Sequence, residues 1–163
     1  TFLFSDTIRA NLTFGRPNAD QDAIDRAADV AQLTETIHAF PGRYETLLGE
    51  RGVNLSGGQK QRLAIARAVV LDAPILILDD ALSSVDTHTE EEILQRLVGV
   101  MARRTSVVIS HRVSTVRHAD VILVLRDGRI VEHGTHDELL ALGRQYAEMH
   151  ERQLLEDALE TTA

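Results

Sequence analysis

Residues 55–59 read Leu-Ser-Gly-Gly-Gln, and these residue types suit the binding of an anion. Gly57 and Gly58 carry no Cβ, so a ligand can come close to their backbone. They fall in the first turn of an expected helix, where N–H groups lack intrahelical acceptors and the helix dipole favours negative charge. Ser56 adds a hydroxyl and Gln59 an amide, and the chemistry is that of a phosphate site. Taken alone, the bare pattern is better read as a plain N-capped helix with a glycine-rich entry. Two further groups stand out. Asp79 and Asp80 close the apolar run Ile75–Leu78, and His111 follows a second apolar run. Taken alone, His111 fits a core or surface histidine. The other six of the seven histidines, including His133 and His136, form no metal-ligand grouping with carboxylates in the sequence.

The elements that must position these residues follow from periodicity and punctuation. Thr7–Leu12 reads as a helical turn, followed by a loop at Gly15, Pro17 and Asn18. Asp20 is a candidate N-cap for a helix with Ala23, Ile24, Ala27, Ala28 and Ala31 at helical spacing. A short helix is expected from Thr34 to Phe40, stopped by Pro41-Gly42. Tyr44–Leu55 reads as loop. Ser56 and Gln59 have capping-box spacing at the head of a long helix to about Leu71, with Leu63, Ala66, Val69 and Val70 inward. Ile75–Leu78 predicts a strand buried on both faces, and Thr89–Met101 a helix with Ile93 and Leu97 inward. Glu90-Glu91-Glu92 reads as a solvated first turn favoured by the dipole. Ser106–Ser110 predicts a second buried strand and Ser114–Arg117 a short helix. Val121–Leu125 and Arg129–Glu132 flank Asp127-Gly128, a two-residue hairpin signal. Thr135 and Glu138 form another capping box, before a helix to Ala147 or beyond. Strands alternating with helices predict an α/β fold with a parallel core sheet.

Composition narrows the function classes. With 163 residues and 44% hydrophobic content the chain fits about one domain with a real core. A net charge of -8 argues against nucleic acid as a partner, since phosphate backbones are held by clustered Lys and Arg. There is no cysteine, hence no disulfide framework or thiolate metal site. No run approaches the roughly 20 apolar residues needed to span a bilayer, and Thr1–Asp6 lacks the features of a signal peptide. The chain opens in mid-pattern on Thr1, as a piece of a longer chain would.

The order of the motifs carries a resemblance. Gly57–Arg67 reads GGQKQRLAIAR, and Ile75–Asp80 follows as ILILDD. Four apolar residues ending in acids match a Walker B strand, which delivers an Asp to Mg²⁺ at its C-terminal end. Ser83-Ser84-Val85-Asp86 comes next, and then His111 in ISHRVST. This order resembles the nucleotide-binding domain of ABC transporters over essentially the whole chain. The resemblance implies a P-loop NTPase-like core with an inserted helical subdomain. Leu55–Gln59 would be the signature, Asp79 the Mg²⁺ ligand, Ser83–Asp86 the D-loop and His111 the switch histidine on the γ-phosphate. Asp86 also has the position to cap the following helix, and the two roles are compatible. Phe2–Arg9 resembles the stretch after the Q-loop of ABC exporters, and Gly134–Leu140 their C-terminal segment. Thr46–Gly52 resembles the exporter X-loop, which would give Gly49, Glu50, Arg51 and Gly52 a coupling role toward membrane domains; Glu50 and Arg51 also fit an ordinary loop pair. An ABC protein of DNA repair or translation is not expected to carry that loop. By resemblance, residues 1–72 are a mainly helical subdomain, 73–150 the C-terminal part of a RecA-like core, and 151–163 a charged tail.

Two departures matter. The single lysine, Lys60, lies inside the signature helix, so the Gly-Lys-Ser/Thr of a Walker A motif is absent here. The family's usual residue after the Walker B Asp is Glu, the base that activates water, whereas this chain has Asp80. Losing one methylene withdraws the carboxylate by roughly 1.5 Å, one C–C bond, and a general base must reach its proton directly or through one water. A backbone shift would restore the reach. Asp at this position resembles one half of heterodimeric multidrug or lipid exporters.

The resemblance implies an ATPase subunit of an exporter, using ATP and Mg²⁺, paired with a second such domain in a hetero- or homodimer. It would work with membrane domains at the cytoplasmic face of the cell membrane. In such dimers Leu55, Ser56, Gly57, Gly58 and Gln59 serve the partner's ATP, while Asp79, Asp80 and His111 serve the chain's own. One alternative is a degenerate ATP-binding module that completes a partner's site; another is a soluble non-transporter ABC ATPase.

Overall fold

A computed structural model describes residues 2–49 and 54–160. The chain forms two compact units, Thr1–Val108 and Ile109–Ala163.

The first unit begins with helices. Thr7 caps α1 (Ile8–Leu12), its hydroxyl accepting from the Ala10 N–H at 3.0 Å. Asp20 caps α2 (Gln21–Val30) through the Ala23 N–H at 2.7 Å, and Ile24, Ala27, Ala28 and Ala31 are buried at the predicted spacing. α3 spans Thr34–Ala39. The stretch expected to be plain loop contains a 3₁₀ turn, Arg43–Glu45. That turn buries the Tyr44 ring, whose hydroxyl donates to Asp25 at 2.7 Å. α4 (Gly57–Leu71) buries Leu63, Ile65, Ala66 and Val70. It is fastened to the N-terminal stretch by Arg67, whose guanidinium donates to the Asn11 carbonyl at 2.7 Å and to Asn11 Oδ1 at 2.9 Å. Asn11 is fully buried, and its amide also exchanges hydrogen bonds with Phe4. α4 ends on Asp72 in the left-handed region at φ 55°.

β1 (Ile75–Asp79) and β2 (Thr105–Ile109) are hydrogen-bonded neighbours, parallel, with α5 (Thr87–Met101) as the crossover. This is the mixed α/β arrangement of a P-loop NTPase-like fold. The expectations that Ile75–Leu78 is buried on both faces and that Ser106–Ser110 is a second buried strand do not hold. Leu76 and Leu78 are buried, but Ile75 and Ile77 are 58% and 62% exposed, and Val107 and Ile109 are exposed as well. Period-2 geometry sends alternate side chains to opposite faces, and the described residues cover only one of them. A second correction concerns Glu90, which is 2% exposed. It shares a helix face with Ile93 and Leu97, three and seven residues on, and so turns inward; Glu91 is exposed as expected.

In the second unit, α6 (Val113–Val116) precedes the hairpin β3 (Ile122–Arg126) and β4 (Arg129–Gly134). Asp127 and Gly128 have φ of 51° and 73°, the two positive values a type I′ turn requires. Thr135 and Glu138 form the predicted capping box on α7 (His136–Leu142). The helix does not continue to Ala147. Gly143, at φ 60°, ends it in the left-handed conformation, and α8 (Gln145–Glu160) starts afresh. The buried Glu132 carboxylate caps α8, accepting from the Gln145 N–H at 2.8 Å and the Tyr146 N–H at 3.3 Å. Where a charged tail is expected, α8 continues, and Gln153 caps α6 through the Val113 N–H at 2.6 Å.

Candidate functional site

Ser56 stands at the head of α4 and forms a full capping box with Gln59. The Gln59 N–H donates to Ser56 Oγ at 3.2 Å, and the Ser56 N–H donates to Gln59 Oε1 at 2.9 Å. Each side chain thereby acts as an acceptor within the box. The Ser56 hydroxyl proton and the Gln59 NH₂ are left over as donors. Gly57 and Gly58 occupy the first two helical positions, where a backbone N–H has no acceptor inside the helix. Ser56 and Gly57 are exposed. Hydroxyl, amide and two backbone N–H groups are all donors, a set suited to phosphate oxygens at a helix N-terminus.

Residues 80–86 lie against this turn. Asp80 adopts φ 46°, and the loop folds back through the Ser83 hydroxyl, which donates to the Asp80 carbonyl at 3.1 Å. Leu82 and Val85 are buried and anchor the loop, while Ser83, Ser84 and Asp86 are exposed. A Cβ at Gly58 would lie 2.8 Å from the Ser84 carbonyl oxygen; one at Gly57 would meet only Ser84 Cβ, at 3.9 Å. Gly58 is thus required by packing inside the chain, and Gly57 is not. Gln61, one turn further along α4, clasps the same loop. Its Nε2 donates to Ser83 Oγ at 2.9 Å, and its Oε1 accepts the Ser84 N–H at 2.8 Å. No sequence motif singles out Gln61, although Gly57, Gly58 and Gln61 share one helix face by spacing.

Asp86 is the N-cap of α5, accepting from the Thr89 N–H at 3.0 Å. The Thr89 backbone and hydroxyl hydrogen bonds, aided by the Arg62 charge, hold its carboxyl below the ordinary aspartate range. Burial lowers Arg62 from its ordinary value, an effect the Asp86 charge opposes.

Asp79 ends β1 and Asp80 follows it; both are exposed. No group of three or more His, Cys, Asp or Glu among the described residues makes a metal cage. Asp79, exposed at the end of β1, is of the residue type that could hold Mg²⁺, an ion commonly bound by one or two carboxylates, water and substrate phosphates. His111 belongs to the second unit and is exposed, just past β2. The turn after it is held by Ser110 Oγ, which accepts the Arg112 N–H at 3.0 Å. Of the candidate coupling loop, Gly49 donates its N–H toward Asn54 Oδ1 at 3.4 Å; Glu50, Arg51 and Gly52 lie outside the described residues.

The family model described as ABC transporter matches residues 2–83, half of the chain. The chain belongs to the ABC transporter family. Among curated ABC transporter relatives, it is 52% identical to the uncharacterized ABC transporter ATP-binding protein YknU of Bacillus subtilis. It is 51% identical to an ATP-dependent lipid A-core flippase of Chromohalobacter salexigens. ATP-binding cassette sub-family B member 6 of Xenopus tropicalis is 49% identical. Each match covers 94% of this chain but only 26%, 27% and 18% of those relatives. A solved bacterial Atm1-family ABC exporter with ATP bound superposes with a TM-score of 0.88 at 46% identity, over 94% of this chain and 27% of that one. No helix among the described residues of this ABC transporter chain is long and apolar enough to cross a membrane.

Proposed function

We propose that this chain is part of the ATP-hydrolysing subunit of an ABC exporter, and that its α4 N-terminus acts on ATP held by a second nucleotide-binding domain. The observation that carries the reading is the unspent donor set of Ser56, Gly57, Gly58 and Gln59 beside the Ser83–Asp86 loop. In this reading Leu55–Gln59 are the signature, offered in trans, and Ser83–Asp86 the D-loop facing the partner domain. Asp79 holds Mg²⁺ in the chain's own site. If Mg²⁺ binds at Asp79, the chemistry it would supply is stabilisation of the negative charge that develops in phosphoryl transfer. Asp80 is the base that orients and deprotonates the attacking water, and His111 contacts the γ-phosphate. Residues 1–72 are the mainly helical lobe, 73–150 the RecA-like core portion and 151–163 the C-terminal extension. Gly49–Gly52 couple to transmembrane domains, which place the assembly at the cytoplasmic face of a membrane. The partner is a second ABC nucleotide-binding domain, in a hetero- or homodimer.

A second reading rests on Asp80. Its carboxylate is one methylene shorter than a glutamate's, and misplacement by about 1 Å costs up to roughly a hundredfold in rate. The chain would then hold ATP mainly to complete a faster site in its partner. Steady-state ATPase turnover of the full-length protein, purified alone, with Asp80 and with Asp80→Glu, separates the two. Brisk native turnover with little gain from Glu supports a self-sufficient pump. Near-silent native turnover restored by Glu supports the paired, asymmetric design. Silence in both, also beside a competent partner, rejects ATP hydrolysis as the function.

A further inference from the structure

The proposed machinery divides between two ATP sites. Ser56–Gln59 would serve the partner's nucleotide, and Asp80 the chain's own. In the structure these groups are joined through two side chains, Gln61 and Ser83. The Ser84 N–H can only donate, so it fixes the Gln61 amide with Oε1 toward Ser84 and Nε2 toward Ser83. Ser83 Oγ accepts from Gln61 and donates its own proton to the Asp80 carbonyl at 3.1 Å. A directional chain of hydrogen bonds thus runs from α4 through Gln61 and Ser83 to the Asp80 backbone. Beside it, the Ser84 carbonyl sits so close to Gly58 that a Cβ there would be only 2.8 Å away. The loop cannot shift toward α4, and Gln61 restrains it from shifting away.

Resting on the function proposed above, we propose that Gln61 is a positioning residue that makes the α4 N-terminus and the Asp80–Asp86 loop of one chain move as one piece, so that closure on the partner's nucleotide sets Asp80 for the chain's own. Gln61 touches no substrate in this scheme. It transmits placement, and the element it acts on is residue 80, already held at φ 46°.

Replacing Gln61 by Met keeps length and volume while removing both hydrogen bonds. Replacing it by Glu keeps an acceptor for the Ser84 N–H but removes the donor to Ser83, whose hydroxyl must then choose between the introduced carboxylate and the Asp80 carbonyl. The test is ATPase kinetics of the full-length protein with its dimer partner, alongside nucleotide binding and thermal unfolding. Expected for Gln61→Met is a loss in kcat of at least roughly tenfold, a KM for ATP within about twofold, an unchanged melting temperature and a Hill coefficient falling toward one. Gln61→Glu should lose kcat to an intermediate degree. Ser83→Ala breaks the same chain further along, so Gln61→Met combined with Ser83→Ala should be no slower than the slower single variant. Wild-type kcat in Gln61→Met overturns the proposal. So do losses that multiply in the double variant, or a kcat loss that merely follows a fallen melting temperature. Ser56→Ala in the same protein is the control for the underlying reading. If it leaves turnover intact, the signature assignment fails first; if it abolishes turnover while Gln61→Met does not, only the positioning role fails.

Discussion

The carbonyl oxygen of Ser84 lies where a side chain on Gly58 would begin, with 2.8 Å between that oxygen and a Cβ built at the glycine. Gly57 has no such neighbour, since the nearest atom to its Cβ position is Ser84 Cβ at 3.9 Å. Two adjacent glycines therefore answer to different constraints. Gly58→Ala is expected to lower the melting temperature and displace the loop. Gly57→Ala is expected to leave the melting temperature of the unliganded protein unchanged. If Gly57→Ala nevertheless reduces turnover by roughly tenfold or more, the lost quantity is ligand approach. Equal thermal losses in the two variants would overturn the distinction.

The chain's two tyrosines should not titrate as free phenols. Burial, then the hydrogen bond to Asp25 and that carboxylate's charge, push Tyr44 well above its ordinary value; burial raises Tyr146. A folded pKa above the unfolded one means a stabilising contribution that is complete below about pH 10, the unfolded value, and lost as pH rises through the folded value. Tyrosinate absorbance, read as the difference between wild type and Tyr44→Phe, is expected to stay absent at about pH 10 and to appear together with unfolding. A half-ionised Tyr44 in folded protein at that pH would contradict this.

The Glu132 carboxylate accepts two N–H groups at the start of α8, and the Tyr146 ring beside it is buried. Glu132→Ala is expected to cost about 0.5–2 kcal/mol, the range for losing a helix cap, and to speed amide hydrogen exchange at Gln145 and Tyr146. Glu132→Gln, which retains one acceptor oxygen, should lose less. Unchanged exchange in Glu132→Ala would show that the cap does not hold the helix.

The parts of this architecture legible in the sequence are those whose partners lie three or four residues apart. Asp20 with Ala23, Ser56 with Gln59, Asp86 with Thr89 and Thr135 with Glu138 are all N-terminal caps of that span. The Asp127-Gly128 turn is legible for the same reason. The parts that escaped depend on distant segments. Gln61 meets Ser83 across 22 residues, and Glu132 meets Gln145 across 13. The outer faces of β1 and β2 could not be assigned from their composition, because apolar strand residues are buried only if something covers them, and Ile75 and Ile77 are uncovered. The break at Gly143 was hidden by helix-forming residues on both sides, although Gly in the left-handed region is a familiar helix terminator.

The backbone at residue 80 has a consequence of its own. Asp is among the few non-glycine residues that enter the left-handed region readily, through its short polar side chain, whereas Glu lacks that aid. With φ at 46°, lengthening the side chain for better reach also places a less tolerant residue in a demanding torsion. A faster Asp80→Glu variant would therefore melt earlier than its parent. Catalytic speed and thermal endurance then compete at a single Cα.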